Sequence, residues 1–428
     1  MLLALAAGVH IALALAAVGF IGTIFLIGFT KAAVLSTTLT FFSVASPVLV
    51  VVPLFVFMGV LAGAGGISRD LYTGLSMWVG RVRGALGIAT VASCTAFGVV
   101  TGSSVVTSAV FSRISAPEMR RQGFDKRLAY GICAASGSIG MLIPPSILIV
   151  LYSILSEVST GALLIAGIAP GLLLAIVFSA AILVVGYLKP SLVGGGGAAP
   201  VKVTWRQRFA SLRLLWPIIV VGFIIIGGIF TGVFSSNEAA SWGAVVLMII
   251  TIATAGSKRW QIISRAVLDS VSISAMIFFI LAGAAIFARL LMLSGMSPRV
   301  LGFVTSIGLS KLAFVVVMSL IYLAMGCFLD SISMLSITLP IIIPAVNAMG
   351  INPIYFAMVV ILSIEAGLLT PPVGLNVYAA KSVADADVSL EDVFRGSIPF
   401  FLMMLVALAI LIAFPRVSTI LPDLMFAK

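Results

Sequence analysis

Four short segments, in two matched pairs, carry the polar groups of this chain that could do chemistry. They are GVVTGSSVVTS (98–108), SGSIGMLIPPS (136–146), GCFLDSISMLS (326–336) and SIEAGLLTPPVGLN (363–376). Two of them place a glycine shortly before two prolines, which a regular helix cannot accommodate because proline lacks an N–H donor. The carbonyl oxygens that such a break frees are costly in lipid unless something binds them. With the nearby hydroxyl and carboxylate oxygens, they suit a small hard cation such as Na⁺.

Two acidic residues, Asp330 and Glu365, lie inside these segments. Asp330 is the only charged residue between Ala313 and Val346. Carboxylates are costly inside a membrane, so each is a candidate functional group. The alternative for either acid is pairing with a nearby base, for which Arg289 is one candidate. A single serine in a membrane helix is more often a packing residue than a ligand.

The composition of the chain predicts a membrane protein. Of 428 residues, 62% are hydrophobic and 9% are charged, which is too little charge to cover a soluble domain. The net charge of +11 fits basic cytoplasmic loops, so no nucleic-acid partner is predicted. His10 is the only histidine and the three cysteines are far apart, so neither a histidine-rich metal site nor a disulfide framework is predicted.

The apolar runs lack strand-type alternation and predict an all-α integral membrane protein. The predicted membrane segments are 2–28, 46–64, 85–101 with 103–118, 128–156, 160–188, 214–233, 237–255, 269–293, 313–329 with 331–346, 354–381 and 394–414. Segments 30–45, 66–80 and 258–268 are shorter and mixed, as is typical of interfacial helices. The run 313–346 would form a helix of about 50 Å, against a hydrocarbon core of about 30 Å, so we interpret it as a re-entrant hairpin.

The two halves of the chain resemble each other. Gly140 aligns with Gly367 and Pro144 with Pro371 at the same offset, which is typical of secondary transporters built from repeats. The predicted first repeat is 1–190, with a hairpin at about 85–118 and a broken helix at about 128–156. A cytoplasmic Gly-rich, basic linker follows at 191–213. The predicted second repeat is 214–428, with a hairpin at about 313–346 and a broken helix at about 354–381.

The distribution of Lys and Arg predicts that the repeats are inverted. The basic residues that flank the first hairpin are Arg81, Arg83, Arg120, Arg121, Lys126 and Arg127. Only Arg299 and Lys311 flank the second. Cytoplasmic loops are enriched in Lys and Arg, so we expect the first hairpin to open to the cytoplasm and the second to the outside.

Several motifs resemble the large membrane subunit of tripartite ATP-independent periplasmic (TRAP) transporters, the DctM type. The most specific are GCFLDSISM (326–334) and GLLTPPVGLNVY (367–378). VVPLFVFMG (51–59), GMLIPPSILIVLY (140–152) and LLIAGIAPGLLL (163–174) extend the likeness over nearly the whole chain. The resemblance implies an elevator-type transporter of the bacterial inner membrane that takes up organic acids with Na⁺. It also implies two protein partners within the lipid bilayer or beside it, a small membrane subunit and a periplasmic substrate-binding protein.

Carried over by position, the resemblance implies two sodium sites. The first would be formed by Ser103, Ser104, Ser138, Gly140 and Pro144. The second would be formed by Asp330, Ser331, Ser333, Gly367, Thr370 and Pro371. The candidate substrate residues in the same segments are Thr101, Gly102, Ser136, Glu365 and Asn376. His10 stands where members of the family often have proline.

Two other functions are open at this point. A stand-alone Na⁺/dicarboxylate symporter of related architecture would share the hairpins and the Pro-Pro breaks, and a neighbouring gene for a secreted binding protein would argue against it. An intramembrane hydrolase would need a Ser-His pair, an aspartyl pair or a zinc set. A single histidine argues against two of these, and no motif supports Asp330 and Glu365 as an acid pair. We therefore do not predict an enzyme.

Overall fold

The computed structural model describes residues 9–79, 82–194 and 204–426, and these ranges fold into helices without a β-strand. The helices of the first half are α1 (Ile11–Ile27), α2 (Phe29–Val44), α3 (Val51–Ala64), α4 (Ile67–Val79), α5 (Ala85–Thr101), α6 (Ser104–Arg121), α7 (Lys126–Gly137), α8 (Ile147–Ser156), α9 (Thr160–Ala166) and α10 (Ile168–Leu188). Those of the second half are α11 (Trp205–Gly222), α12 (Gly228–Thr231), α13 (Ser236–Thr254), α14 (Arg259–Leu293), α15 (Met296–Ser306), α16 (Lys311–Gly326), α17 (Ser331–Ala348), α18 (Pro353–Gly367), α19 (Leu375–Ser382), α20 (Leu390–Ala413) and α21 (Arg416–Phe426).

Seven helical stretches within the described ranges are long and apolar enough to cross a membrane. They are Pro47–Ala64, Thr160–Leu188, Trp205–Thr231, Ser236–Thr254, Gly256–Leu293, Ser331–Ala348 and Leu390–Ala413. Backbone N–H and C=O groups inside a membrane must be hydrogen-bonded within the protein, and a helix meets this requirement where a lipid-exposed loop could not. The all-helical membrane architecture predicted from the sequence is confirmed.

Helices α5 and α6 form the first hairpin, which turns at Gly102. The rings of Phe97 and Phe111 meet edge to face at a centroid distance of 5.4 Å. Nearer the turn, the hydroxyls of Thr101 and Thr107 lie 3.1 Å apart. The pair farther from the turn in one helix is also the farther pair in the other, so the two helices run antiparallel.

Helices α16 and α17 form the second hairpin in the corresponding place of the other half. The Tyr322 hydroxyl lies 2.6 Å from the Thr338 hydroxyl. At the open end, Lys311 Nζ donates to the carbonyl of Gly350 at 3.1 Å. Both predicted hairpins therefore form, while their entry and exit on one membrane face stays a prediction.

Each predicted broken helix is interrupted at its Pro-Pro pair. Helix α7 ends at Gly137, a 3₁₀ turn covers Ser138–Met141, and α8 begins at Ile147. In the second half, α18 ends at Gly367 and α19 begins at Leu375. The Pro144–Pro145 and Pro371–Pro372 peptide bonds are both cis.

The second part of each broken helix packs against the hairpin of the other half. Helix α8 contacts α17, and α19 contacts α6 and α7. Helix α20 also lies against α7, and a Cβ on Gly131 would stand only 2.2 Å from the carbonyl carbon of Gly396. Most of the buried apolar side chains of both halves belong to one continuous cluster. The two halves thus share a core.

Two sequence-based boundaries were wrong. Segment 258–268 is not a separate interfacial helix but the first part of α14, because no Gly or Pro interrupts the chain before Gly283. The linker is shorter than 191–213, since α11 begins at Trp205 behind a capping box formed by Thr204 and Gln207. Residues 195–203 of the linker and 1–8 of the predicted first span lie outside the described ranges. Helix α21 was not predicted.

Candidate functional site

A buried polar cluster joins the two halves of the chain. Ser104 Oγ donates to Glu365 Oε1 at 3.1 Å. The Nδ2 group of Asn376 donates to Glu365 Oε2 at 3.3 Å and to Ser138 Oγ at 3.1 Å. All four side chains are completely buried. We call these residues the central cluster.

The members of the central cluster meet because each lies at or near the end of a helix. Ser104 is the first residue of α6 and Asn376 is the second residue of α19. Ser138 directly follows α7, and Glu365 lies in the last turn of α18. The Pro-Pro breaks and the hairpin turn are what create helix ends here. Helix starts carry partial positive charge and helix ends partial negative charge, so the cluster combines both.

Two buried polar atoms in these segments have no hydrogen-bond partner. They are the hydroxyl oxygen of Ser136 and the Oδ1 atom of Asn376. A buried polar atom left unpaired costs about 1–3 kcal/mol. Asn376 Oδ1 can only accept, so it suits a cation or a ligand that donates a hydrogen bond. The cluster therefore has unused binding groups.

The turn of the first hairpin is held against the first Pro-Pro break. The N–H of Ile147 donates to the carbonyl of Gly102 at 3.3 Å. A Cβ on Gly102 would stand 2.2 Å from the carbonyl oxygen of Pro145, and its φ of +58° lies in the left-handed region. Only glycine fits this position without strain. Ser103 then caps α6 by accepting from the N–H of Val106 at 3.5 Å.

In each half, a close glycine–glycine contact joins the hairpin to the broken helix. A Cβ on Gly98 would stand 2.9 Å from the Cα of Gly140. A Cβ on Gly326 would stand 2.7 Å from the Cα of Gly367. The sequence comparison of the halves aligned Gly140 with Gly367, and the structure shows that each of these glycines lets a hairpin approach a broken helix.

The turn of the second hairpin is organised by Asp330. One carboxylate oxygen accepts from the N–H of Ser333 at 3.0 Å, and the other accepts from the Ser333 hydroxyl. Asp330 is therefore the N-cap of α17, a position that favours a carboxylate. Ser331 and Ser333 are buried. Across the break, Cys327 Sγ lies 2.9 Å from the hydroxyl of Thr370.

The alternative partner for these acids is not observed. None of the ion pairs within the described ranges joins Arg289 to Asp330 or to Glu365. Glu365 is bound by neutral groups only, namely Ser104 and Asn376.

The candidate residues thus divide between two places. Around the first break lie Thr101, Gly102, Ser103, Ser104, Ser136, Ser138, Gly140, Pro144, Glu365 and Asn376. At the second break lie Asp330, Ser331, Ser333, Gly367, Thr370 and Pro371. Sequence reasoning missed Cys327 and Thr107, although each stands beside a predicted turn, which is the only signal that could have pointed to them.

Ion pairs tie the end of the first hairpin and the start of α7 to the loop before α20 and to its first turn. Arg120 contacts Asp387 at 2.8 Å, and Lys126 and Arg127 contact Asp392 at 2.8 and 2.9 Å. The hydrogen bond from Arg120 lowers the pKa of the exposed Asp387 carboxyl. The basic residues that predict the cytoplasmic side are therefore partly neutralised by acids of the other half.

Comparison with known proteins decides the family. The model of the family described as "Tripartite ATP-independent periplasmic transporter, DctM component" matches residues 1–417. The chain belongs to this family. The DctM-type chain is accordingly a transporter permease and not an enzyme, and it is a multi-pass protein of the bacterial inner membrane with several apolar helices. The hydrolase alternative is thereby set aside.

Curated relatives of the DctM-type chain differ in the substrates that their names give. It is 34% identical over 376 residues to the C4-dicarboxylate TRAP transporter large permease protein DctM of Pseudomonas aeruginosa, covering 88% of this chain and 86% of that one. It is 31% identical over 386 residues to the ectoine/5-hydroxyectoine TRAP transporter large permease protein UehC of Ruegeria pomeroyi, covering 89% and 87%.

A solved structure supports the fold alone. The YdaH transporter of Alcanivorax borkumensis, described as having an unusual topology, superposes with a TM-score of 0.65 at 15% identity. The match covers 91% of this chain and 89% of that one.

Proposed function

We propose that the DctM-type chain imports an organic acid together with Na⁺, and that the central cluster is where ion and substrate meet. The observation that carries the proposal is the buried Glu365 held by Ser104 and Asn376, with Asn376 Oδ1 unpaired. A carboxylate surrounded by neutral donors in a membrane favours a cation as its partner. Since its contacts come from both halves, an ion bound there would join the first hairpin to the second broken helix.

The first sodium site would use the oxygens of Ser103, Ser104 and Ser138 with the freed carbonyls from Gly140 to Pro144. Hydroxyl, amide and carbonyl oxygens are suitable ligands for a hard cation such as Na⁺ in a flexible coordination geometry. The support is geometric, because Ser104 and Ser138 are both bound to the Glu365–Asn376 pair.

The second sodium site would use the turn that Asp330 caps, with Ser331 and Ser333, and the break from Gly367 to Pro371. The hydroxyl of Thr370 donates to the carbonyl of Gly367 at 2.7 Å, so these groups are already close. Asp330 would act mainly by fixing the turn, because both of its oxygens are engaged with Ser333.

The substrate would be a carboxylate recognised at helix starts. Thr101 and Gly102 precede the start of α6, and Ser136 is next to Gly137, on which a Cβ would stand 2.7 Å from the carbonyl oxygen of Ser104. The unpaired Ser136 hydroxyl can donate to an anion. The names of relatives include a C4-dicarboxylate and ectoine, which both carry a carboxylate. A periplasmic binding protein would deliver the substrate, and a small membrane subunit would complete the complex.

The test is uptake into proteoliposomes containing the chain and its small subunit, with a panel of radiolabelled carboxylates. We expect uptake to need both an inward Na⁺ gradient and the binding protein. Robust Na⁺-driven uptake without a binding protein would favour the stand-alone symporter instead. An uptake rate that does not depend on the Na⁺ gradient would contradict both proposed sodium sites.

A further inference from the structure

A basic cavity lies between α2 and the end of α14, away from the central cluster. It has a volume of about 490 Å³. Its lining residues are Ile27, Thr30, Lys31, Val34, Leu35, Thr38, Arg289 and Leu293. Two cations and two hydroxyls thus face a cavity whose remaining walls are apolar.

Arg289 is left without a partner in this cavity. Its Nε atom is buried and has no hydrogen bond, and neither Arg289 nor Lys31 belongs to any ion pair within the described ranges. An unpaired guanidinium with a buried donor is unfavourable, because burying a charge is costly unless it is paired. An anionic group bound in the cavity would therefore be favourable.

The position of Arg289 along α14 places it at the level of lipid headgroups. Asp269 and Arg289 are separated by residues without charge, and their numbers differ by 289 − 269 = 20. At about 1.5 Å per residue this distance is about 30 Å, the thickness of the hydrocarbon core. Asp269 thus marks one interface and Arg289 the other.

The surface around the cavity is suited to acyl chains. Phe25 of α1 and Phe29 of α2 lie within two residues of the lining residues Ile27 and Thr30, and they are 85% and 66% exposed. A guanidinium binds the two oxygens of a phosphate in a fork-like geometry, and basic pockets between membrane helices bind anionic lipid headgroups. A phospholipid supplies both the phosphate and the apolar chains.

We propose that this cavity binds the phosphate of an anionic phospholipid through Arg289 and Lys31, with Thr30 and Thr38 as hydroxyl donors. The acyl chains would cover the exposed phenylalanines of α1 and α2. The bound lipid would hold the corner formed by α1, α2 and α14 at one membrane interface. This site does not depend on the proposed sodium or substrate sites.

The experiment compares lipid responses of the full-length chain and its Arg289→Gln and Lys31→Gln variants. Arg265→Gln is the matched control, because Arg265 is exposed on the same helix and does not line the cavity. Delipidated protein is titrated with phosphatidylglycerol, and its melting temperature is recorded. We expect the wild type and Arg265→Gln to be stabilised alike. The lipid concentration for half-maximal stabilisation should rise about 5-fold in Arg289→Gln and in Lys31→Gln.

Further arms decide what occupies the cavity. Inorganic phosphate should give no comparable stabilisation, since it lacks acyl chains, and Arg289→Lys should lose less than Arg289→Gln. If Arg289→Gln and Lys31→Gln respond to phosphatidylglycerol as Arg265→Gln does, the proposal is wrong. It is also wrong if inorganic phosphate stabilises as well as the lipid. If Arg289→Gln or Lys31→Gln loses the small subunit on purification while its lipid response is unchanged, the proposal is also wrong. The cavity would then bind an acidic side chain of that subunit.

Discussion

The two hairpins of this permease each make a close glycine contact with a broken helix, but their turns have different polar partners. At the first turn, Ser104 reaches across to Glu365 of the other half. At the second turn, Asp330 reaches only to Ser333, three residues further on. The close glycine contacts are the same at both turns. Both halves thus keep the close approach of hairpin and broken helix. The Glu365 carboxylate is bound by a residue of the other half, whereas the Asp330 carboxylate is bound within its own helix start.

The largest effect should come from removing the shared charge. Glu365→Ala removes the acceptor of the Ser104 hydroxyl and one of the two acceptors of the Asn376 amide, at about 1–3 kcal/mol for a buried group left unpaired. We expect uptake to fall about 100-fold. Initial uptake rates measure this, with expression checked by size-exclusion chromatography. Glu391→Ala is the control, because Glu391 is an exposed acid paired with Arg395 within one helix. If Glu365→Ala and Glu391→Ala lower the uptake rate equally, the contact between the halves at Glu365 has no special importance.

A smaller effect is expected from neutralising the local charge. Asp330→Asn keeps a good N-cap residue, so α17 should stay folded while the charge is lost. If the charge supports the second sodium site, half-saturating Na⁺ should rise about 5- to 150-fold, equivalent to about 1–3 kcal/mol. The measurement is the Na⁺ dependence of uptake in Asp330→Asn and Ser331→Ala, with Ser319→Ala as the control. If half-saturating Na⁺ is unchanged in both variants, Asp330 serves only as the N-cap of α17 and does not support a sodium site.

The shared glycine contacts of the two hairpins can be tested directly. Gly98→Ala and Gly326→Ala each place a Cβ within 2.9 Å of a backbone atom, so both should destabilise the fold by about 1–3 kcal/mol. Gly63→Ala is the control, since its Cβ meets nothing closer than 4.0 Å. Thermal unfolding in detergent measures the difference. Destabilisation by only one of the two substitutions would show that the halves are not equivalent at this contact.

The smallest effect is expected at the exposed ion pairs between the halves. Asp387→Asn removes a contact with Arg120 and should lower the melting temperature slightly at neutral pH. Arg120 lowers the pKa of Asp387 in the folded state, so the stabilisation is present above the ordinary carboxyl pKa of about 4 and is lost as pH falls through the lowered value. The measurement is the melting temperature of both proteins from pH 7 downwards. Asp269→Asn is the control, because Asp269 is an exposed acid outside the ion pairs of the described ranges, and it should leave the melting temperature at neutral pH unchanged.

The sequence predicted those parts of the fold that single residues enforce. The breaks at Pro144 and Pro371 and the turn at Gly102 follow from backbone limits that proline and glycine set locally. The continuity of α14 was missed, because polar residues in its first turns look interfacial although no helix breaker separates them from the span.

The partners within the site could not be predicted in the same way. Ser104 and Glu365 are 261 residues apart, and their contact depends on how two packed halves are placed. Composition and spacing carry no information about that placement. The N-cap role of Asp330 could have been recognised, since an acid three residues before Ser333 at the start of an apolar run is a common helix start.

The crosswise packing of broken helices also sets an order of assembly during synthesis. Ser104 and Ser138 leave the ribosome long before Glu365 and Asn376, the residues that bind them. The central cluster therefore cannot form until Glu365 and Asn376 have been synthesised, so its hydrogen bonds join the halves only after the first half has been made.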